Sequence, residues 1–320
     1  MRRLVLFILK VTISALLLYF ASIKVDLASA AARLGDIDPV WIAVMIFVLF
    51  VQLFLVALRW RDVGLICGGG LSRAKAVRYS LIAMFFNQIL PSTVGGDAAR
   101  AWLFARDGAG WSIAIYSVLV DRIVGVTTLA ALVFLCLPWT LQLVSDPVAR
   151  AALALVGVGV IVGVAFFLSL ASPRLAALER IWPFHHLAAT SRLCWRVIQA
   201  DRKVAIAALS FAIHLSTVAV FWCGALAVHA SVSFPQLLFV ILPVLLISAI
   251  PISIAGWGVR ESLMVAGFFY AGLVQGDGLV VSIIFGVATL AMGAIGGVVW
   301  IASGYRLNSM TTPASHAGPR

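Results

Sequence analysis

The sequence has few charged residues, few cysteines and no nucleotide-binding motif. Asp, Glu, Lys and Arg make up 11% of the 320 residues, against about 25% in an ordinary soluble protein. Apolar residues make up 63% of the chain. This excludes an ordinary globular protein, and it excludes intrinsic disorder, which requires low hydrophobicity.

The chain also lacks the patterns that metal proteins and many enzymes use. Its four cysteines form no CxxC pair, and the apolar stretches contain no HxxxH pair and no GxxxxGK[ST] loop. His185 and His186 are adjacent but have no cysteine or carboxylate at ligand spacing. We therefore expect the protein to bind no metal and no cofactor. These patterns give little support for an enzymatic function.

Several apolar runs reach the length of about 20 residues that a helix needs to cross a membrane. The sequence predicts six full spans, near 4–23, 40–58, 112–137, 150–171, 204–230 and 279–303.

The distribution of positive charge predicts the orientation of these spans. Lys and Arg number 23, against 12 Asp and Glu, and they concentrate at the N-terminus and in 59–78 and 172–203. Because cytoplasmic loops carry the excess of Lys and Arg, these segments and both termini are predicted to be cytoplasmic. Topology accounts for most of the positive charge, so nucleic acid is not a predicted partner.

Segment 172–203 is either helices lying on the inner leaflet or a solvated loop.

Two further apolar stretches, 79–95 and 236–254, end in a shared motif. Aligned on Pro91 and Pro251, both read P-x-[ST]-[VI]-x-G-x-x-x-R, 160 residues apart. Proline and glycine interrupt helices, and paired interruptions in two halves of a membrane protein indicate a binding site between inverted repeats. The predicted helix-break residues are Pro91, Gly95, Gly96, Pro251, Gly256 and Gly258.

We therefore predict an all-α polytopic membrane protein. It has about six full transmembrane helices plus two re-entrant or broken helix pairs in an inverted repeat. A single membrane domain covers 1–305, with repeats at about 40–171 and 204–303, and 306–320 is a disordered cytoplasmic tail. The alternative is that the broken segments are ordinary kinked spans.

The sequence resembles the transmembrane region of the lysylphosphatidylglycerol synthase family. Three stretches carry the resemblance: Asn87-x-x-Leu90-Pro91-Ser92-x-x-Gly95-Gly96-Asp97-x-x-Arg100, Asp121-Arg122, and Pro251-x-Ser253-x-x-Gly256-x-Gly258-x-Arg260-Glu261. The resemblance implies a bacterial inner-membrane protein with a flippase-like domain, which in two-domain members of the family moves an aminoacylated phospholipid between leaflets. It also implies that stand-alone members are associated with other envelope lipids, such as glycolipids and hopanoids, so the expected partner is a phospholipid, glycolipid or hopanoid. The chain ends shortly after its last predicted span, so we expect no soluble synthase domain and no synthesis of lysylphosphatidylglycerol.

Charged residues at membrane depth are the candidate site, because each costs about 2.5–3.5 kcal/mol on insertion and needs a partner. For Asp121 the expected partner is Arg100 or Arg260, and for Arg122 it is Asp97, Glu261 or a lipid phosphate. One hypothesis is that Arg100 and Arg260 hold an anionic head group, with the other four residues around it. The other is that all six form an ion-pair network that only holds broken helices together. His214 is interpreted as a helix-packing residue.

Three functions remain open from the sequence. The first is a flippase-like lipid translocase. The second is an integral membrane transferase with Asp97, Asp121 or Glu261 as general base. The third is a scaffold that binds enzymes of envelope-lipid synthesis. The lipid, the direction of transport and the oligomeric state cannot be predicted.

Overall fold

The computed structural model describes Thr12, Leu16, Tyr19, Ile23, Val25 and residues 27–90, 94–249 and 256–305, and all regular structure within them is helical. The helices, in chain order, are α1 (Leu27–Gly35), α2 (Pro39–Ile66), α3 (Arg73–Ile89), α4 (Gly95–Phe104), α5 (Trp111–Leu143), α6 (Pro147–Ser169), α7 (Trp182–Gln199), α8 (Lys203–Ala227), α9 (Phe234–Ser248), α10 (Val259–Tyr270) and α11 (Gln275–Ala302). A π-helical turn (Ala105–Ala109) follows α4, and a 3-10 helix (Pro173–Arg180) precedes α7.

Five of these helices are long and apolar enough to cross a membrane, namely α2, α5, α6, α8 and α11. They confirm five of the six predicted spans and an all-α, multi-pass membrane protein. The remaining predicted span, 4–23, falls almost wholly outside the described residues.

Two pairs of shorter helices occupy the places where broken segments are predicted. Helix α3 ends at Ile89 and α4 begins at Gly95, while α9 ends at Ser248 and α10 begins at Val259. Pro91 and Pro251 lie outside the described residues. Whether each pair enters and leaves through one face of a membrane stays a prediction.

The helix order and packing of the two halves correspond. Helices α2 to α5 and α8 to α11 both run long, short, short, long, with α6 and α7 between the two sets. The second helix of each half packs on the last helix of the other half: α3 packs on α11, and α9 packs on α5. The first helix of each half packs on the last helix of its own half: α2 packs on α5, and α8 packs on α11. The two first helices, α2 and α8, pack on each other. This correspondence favours an internal repeat.

Helix α2 is longer than the predicted span. The sequence places a loop from residue 59, because Arg59, Arg61 and Asp62 end the apolar run. The helix instead continues to Ile66, and Arg59 and Asp62 are both only 6% exposed. The loop prediction was wrong for 59–66 because Arg59 pairs with the buried Asp121 and Asp62 pairs with Arg61 and Arg202. A hydropathy profile does not register such partners.

The segment after α6 is folded against the helix bundle. Ser191 Oγ and Trp195 Nε1 of α7 donate hydrogen bonds of 3.2 and 3.1 Å to the carbonyl of Leu168, near the end of α6. These bonds attach α7 to the end of α6, where carbonyls lose their regular helical partners. The segment 172–203 therefore contains helices, and their position on the inner leaflet stays a prediction.

The four cysteines are free. Two of them lie outside the candidate spans, where burial raises the pKa of Cys67 to about 11 and that of Cys194 to about 12. Both are therefore neutral thiols at physiological pH, which is typical of structural cysteines.

Candidate functional site

A cavity of about 350 Å³ lies between α2, α3, α4, α5 and α8. One part of its wall is apolar and another part is charged. The lining residues are Leu49, Gln52, Leu53, Val56, Arg59, Ser80, Ala83, Met84, Asn87, Asp97, Arg100, Asp121, Arg122, Gly125, Val126, Leu129 and His214.

Asp121 is the centre of the charged part of the wall. Its carboxylate is 1% exposed and accepts from two arginines: Arg59 Nε lies 2.8 Å from Oδ1, and Arg100 Nη1 lies 3.1 Å from Oδ2. Because each carboxylate oxygen meets a different guanidinium, Asp121 joins α2, α4 and α5 in one network.

Asp97 extends this network to Arg122. Arg100 donates to Asp97 Oδ1 through Nε at 3.1 Å and Nη2 at 2.8 Å. Arg122 Nε lies 2.8 Å from Asp97 Oδ2, an ion pair without hydrogen-bond geometry. Among the described residues, the network thus has three arginines (Arg59, Arg100 and Arg122) and two aspartates, which gives a formal charge of +1.

The helix break between α3 and α4 places Asp97 and Arg100 in the cavity wall. Asn87 Oδ1 accepts a 2.7 Å hydrogen bond from the backbone N–H of Gly96, which ties the start of α4 to α3. A Cβ at Gly96 would overlap the carbonyl oxygen of Ala83 and the Asn87 amide, so only glycine permits this approach. Asp97 then lies in the first turn of α4, where the helix dipole favours a carboxylate.

The three arginines differ in exposure. The side chains of Arg59 and Arg100 are 7% and 8% exposed, whereas that of Arg122 is 38% exposed. The Arg100 guanidinium also lies over the Trp60 ring, 5.0 Å from its centroid. Arg122 is therefore the arginine of this network that a molecule in the cavity can reach most directly.

Arg260 and Glu261 form a separate cluster, away from this cavity. Arg260 Nε donates to Ser282 Oγ at 2.9 Å and to Glu261 Oε1 at 3.1 Å. Glu261 Oε2 accepts a 2.6 Å hydrogen bond from the backbone N–H of Gly258, whose φ of +88° suits glycine. Glu261 thereby caps the start of α10 and balances the Arg260 charge.

Aromatic rings enclose the Arg260 guanidinium. It lies 5.2 Å from the ring centroid of Trp257 and 5.0 Å from that of Phe285. Gly286 makes room for this arrangement, since a Cβ there would overlap the Trp257 ring and Arg260 Nη2. Arg260 is 7% exposed, and the partners found for it among the described residues all belong to the cluster.

The structure brings four of the six predicted charged residues together, namely Asp97, Arg100, Asp121 and Arg122. The expected pairs Asp121 with Arg100 and Arg122 with Asp97 are both present. The other two residues pair with each other, so Arg100 and Arg260 do not share a site in this conformation.

Sequence reasoning missed Arg59, which the structure places against Asp121. The positive-inside pattern assigned Arg59 to a loop, although the need of Asp121 for a second buried partner was a usable signal.

His214 also lines the cavity, and its Nε2 lies 2.9 Å from the carbonyl of Gly125. This contact fits the predicted packing role of His214. Within the described part of the chain, no cluster of metal-ligating residues is found.

The long apolar helices and the buried ion network define a multi-pass membrane protein with a charged cavity inside its helix bundle. The family model described as the lysylphosphatidylglycerol synthase TM region matches residues 7–297. The chain therefore belongs to this family, whose members are membrane proteins related to lipid modification or lipid flipping. No curated protein sequence matches the chain.

Proposed function

We propose that this protein binds the anionic head group of a membrane lipid in the cavity between α2, α3, α4, α5 and α8, and moves that lipid between leaflets. The observation that carries the proposal is the formal charge of +1 on the Arg59, Asp97, Arg100, Asp121 and Arg122 network in the cavity wall.

Charge balance supports an anion as the ligand. A buried charge is costly unless an opposite charge pairs with it. Asp97 and Asp121 already balance the two buried arginines, Arg59 and Arg100, so a network that served packing alone would not need the third arginine. One phosphodiester carries a single negative charge and would neutralise the group.

The size and walls of the cavity also suit a lipid. Its volume of about 350 Å³ lies within the range of about 300–1,000 Å³ for small-molecule sites. Apolar side chains such as Leu49, Leu53 and Leu129 form part of the wall beside the arginines. The guanidinium of Arg122 can bind two phosphate oxygens at once, since its planar donors match that geometry.

Arg260 and Glu261 enter this proposal only through a change of conformation. Arg260 occupies the motif position in the second half that Arg100 occupies in the first, and the Trp257 ring lies against its guanidinium. A head group would reach Arg260 if the contact between α10 and α11 opened.

The proposed location, a bacterial inner membrane with cytoplasmic termini, rests on the distribution of positive charge.

The proposal predicts that Arg122→Gln weakens binding of phosphatidylglycerol by about ten- to a hundredfold, because it removes a charge-assisted contact with the phosphate. Native mass spectrometry of purified protein titrated with the lipid measures this affinity. Arg192→Gln is the matched control, since the Arg192 side chain on α7 is 45% exposed and pairs with Glu179 of the preceding 3-10 helix. Equal affinities for Arg122→Gln and wild type, with both proteins folded, would contradict the proposal.

A further inference from the structure

The packing contact of His214 in the charged cavity engages one nitrogen of its ring. His214 is half-buried and lines the cavity, and its Nε2 lies 2.9 Å from the carbonyl oxygen of Gly125. A carbonyl oxygen only accepts hydrogen bonds, so Nε2 carries the hydrogen of the neutral ring and Nδ1 carries a lone pair. A proton can therefore be added at Nδ1 without breaking the contact with Gly125.

We infer that His214 takes up a proton when an anion enters the cavity, so that the movement of the lipid is coupled to the movement of a proton. This inference rests on the proposed function and specifies what controls the same site. The proton comes from solvent and binds Nδ1, which converts the neutral imidazole to an imidazolium cation.

The Arg59 guanidinium lies next to His214. Its Nη1 and Nη2 would be 3.1 and 3.2 Å from a Cβ at Gly125, the residue whose carbonyl is bonded to His214. Arg59 Nη1 also donates to Ser210 Oγ at 3.4 Å, and Ser210 lies about one turn before His214 on α8. In the empty cavity, a proton on His214 would place a second positive charge beside Arg59 in a region of low dielectric constant, where like charges repel strongly.

A bound anion offsets this repulsion. The arginine and aspartate network carries a formal +1, and protonation of His214 would raise the charge of the cavity to +2. One phosphodiester lowers it to +1 again, so the imidazolium is more favourable with the anion present than without it. Because such coupling is reciprocal, the protonated protein must bind the anion more tightly than the neutral one does. The affinity should therefore rise as the pH falls.

The groups around His214 leave it as the side chain of the cavity wall that can gain a proton near neutral pH. Helices α2, α5, α7, α9 and α11 pack on α8. The charged groups that these helices and α4 place in the cavity wall are Arg59, Asp97, Arg100, Asp121 and Arg122. Within the described part of the chain, the charged and histidine side chains of α8 and its neighbours that do not line this cavity are Arg61, Asp62, His185, His186, Arg192, Arg196, Lys203 and Asp277.

Proton uptake would give the protein a source of energy. A monoanionic lipid that moves together with one proton transfers no net charge across the membrane. Loading of the lipid is favoured on the more acidic side, where His214 is protonated, and release is favoured on the other side. A difference in pH across the membrane can thereby drive the lipid in one direction.

The test is titration calorimetry of purified protein with phosphatidylglycerol at pH 6 and pH 8, a range in which its phosphodiester keeps one negative charge. We expect wild type to bind at least about fivefold more tightly at pH 6, the lower end of usual couplings between sites. His214→Gln can still donate to Gly125 but cannot titrate, so its affinity should be equal at both pH values. His185→Gln is the matched control, because His185 is exposed on α7, and it should keep the wild-type pH dependence.

A second measurement on wild type needs no variant. Calorimetry at pH 7 in two buffers of different ionisation enthalpy counts the protons taken up per lipid bound, and we expect a net uptake. Absence of uptake, equal wild-type affinities at pH 6 and pH 8, or an unchanged pH dependence in His214→Gln would overturn the coupling to His214 and leave anion binding intact. Binding of phosphatidylglycerol at neither pH would contradict the proposed function itself.

Discussion

Replacing Asp121 by asparagine is expected to abolish or strongly reduce the yield of folded protein. Asp121 is 1% exposed and accepts from both Arg59 and Arg100. Asparagine keeps the shape but removes the charge, so two buried guanidinium groups lose their shared counter-ion. Removing one partner of a buried ion pair typically costs about 3–5 kcal/mol, a large part of the stability of most proteins.

Asp107→Asn is the matched control for this experiment. Asp107 accepts from Lys75 at 2.6 and 2.8 Å, but the Lys75 side chain is 49% exposed, so the same change should cost about 0–1 kcal/mol. The measurements are the monodisperse fraction after detergent extraction and the midpoint of thermal unfolding. The double variant Asp121→Asn with Arg59→Gln should recover part of the loss, since it removes one unpaired cation. If Asp121→Asn is as stable as Asp107→Asn, the buried network does not hold the helices together.

Gly296→Ala is expected to destabilise the protein by about 3 kcal/mol, the upper end of the usual cost of overpacking. Gly296 of α11 faces α3, and a Cβ there would overlap the backbone carbonyl of Leu81. Backbone cannot move aside as a side chain can, so α3 and α11 must separate. Small residues at helix contacts in membranes allow such close approach.

The control for Gly296→Ala is Gly163→Ala on α6, where a Cβ would have no atom within 4 Å. The control should unfold at or slightly above the wild-type temperature, because alanine favours a helix more than glycine does. Equal unfolding temperatures for the two variants would show that α3 and α11 do not pack as described. The same contact explains the neighbouring Gly293 and Gly297, which also face α3.

Most of the spans were predictable because long apolar runs give a strong hydropathy signal. The ends of helices α6 and α8 lie about three residues or fewer from those of the predicted runs, and the breaks at Gly95 and Gly258 fall where proline and glycine interrupt the pattern. The end of α2 was not predictable from hydropathy, since a charged residue ends an apolar run whether it meets water or a buried carboxylate. Arg59 meets a carboxylate, and the helix continues past it.

The site was predictable in part. Asp121 and Arg122 are neighbours on one helix and point in different directions, so each needs a partner from another segment, and Arg100 and Asp97 supply them. The place of Arg260 was not predictable. Its partners Ser282 and Phe285 come from α11, and an uncharged serine and phenylalanine in an apolar run give no signal of a contact with an arginine. The matching motifs suggested one shared site, whereas the two arginines have different surroundings.

Lipid translocation in liposomes tests the central claim most directly. Wild-type protein, Arg122→Gln and Arg192→Gln are reconstituted at equal amounts of folded protein, and the movement of fluorescent phosphatidylglycerol between leaflets is followed by dithionite quenching. The account predicts movement by wild type and Arg192→Gln, and at least about tenfold slower movement by Arg122→Gln. Equal rates for all three proteins, or no movement by wild type above protein-free liposomes, would contradict it.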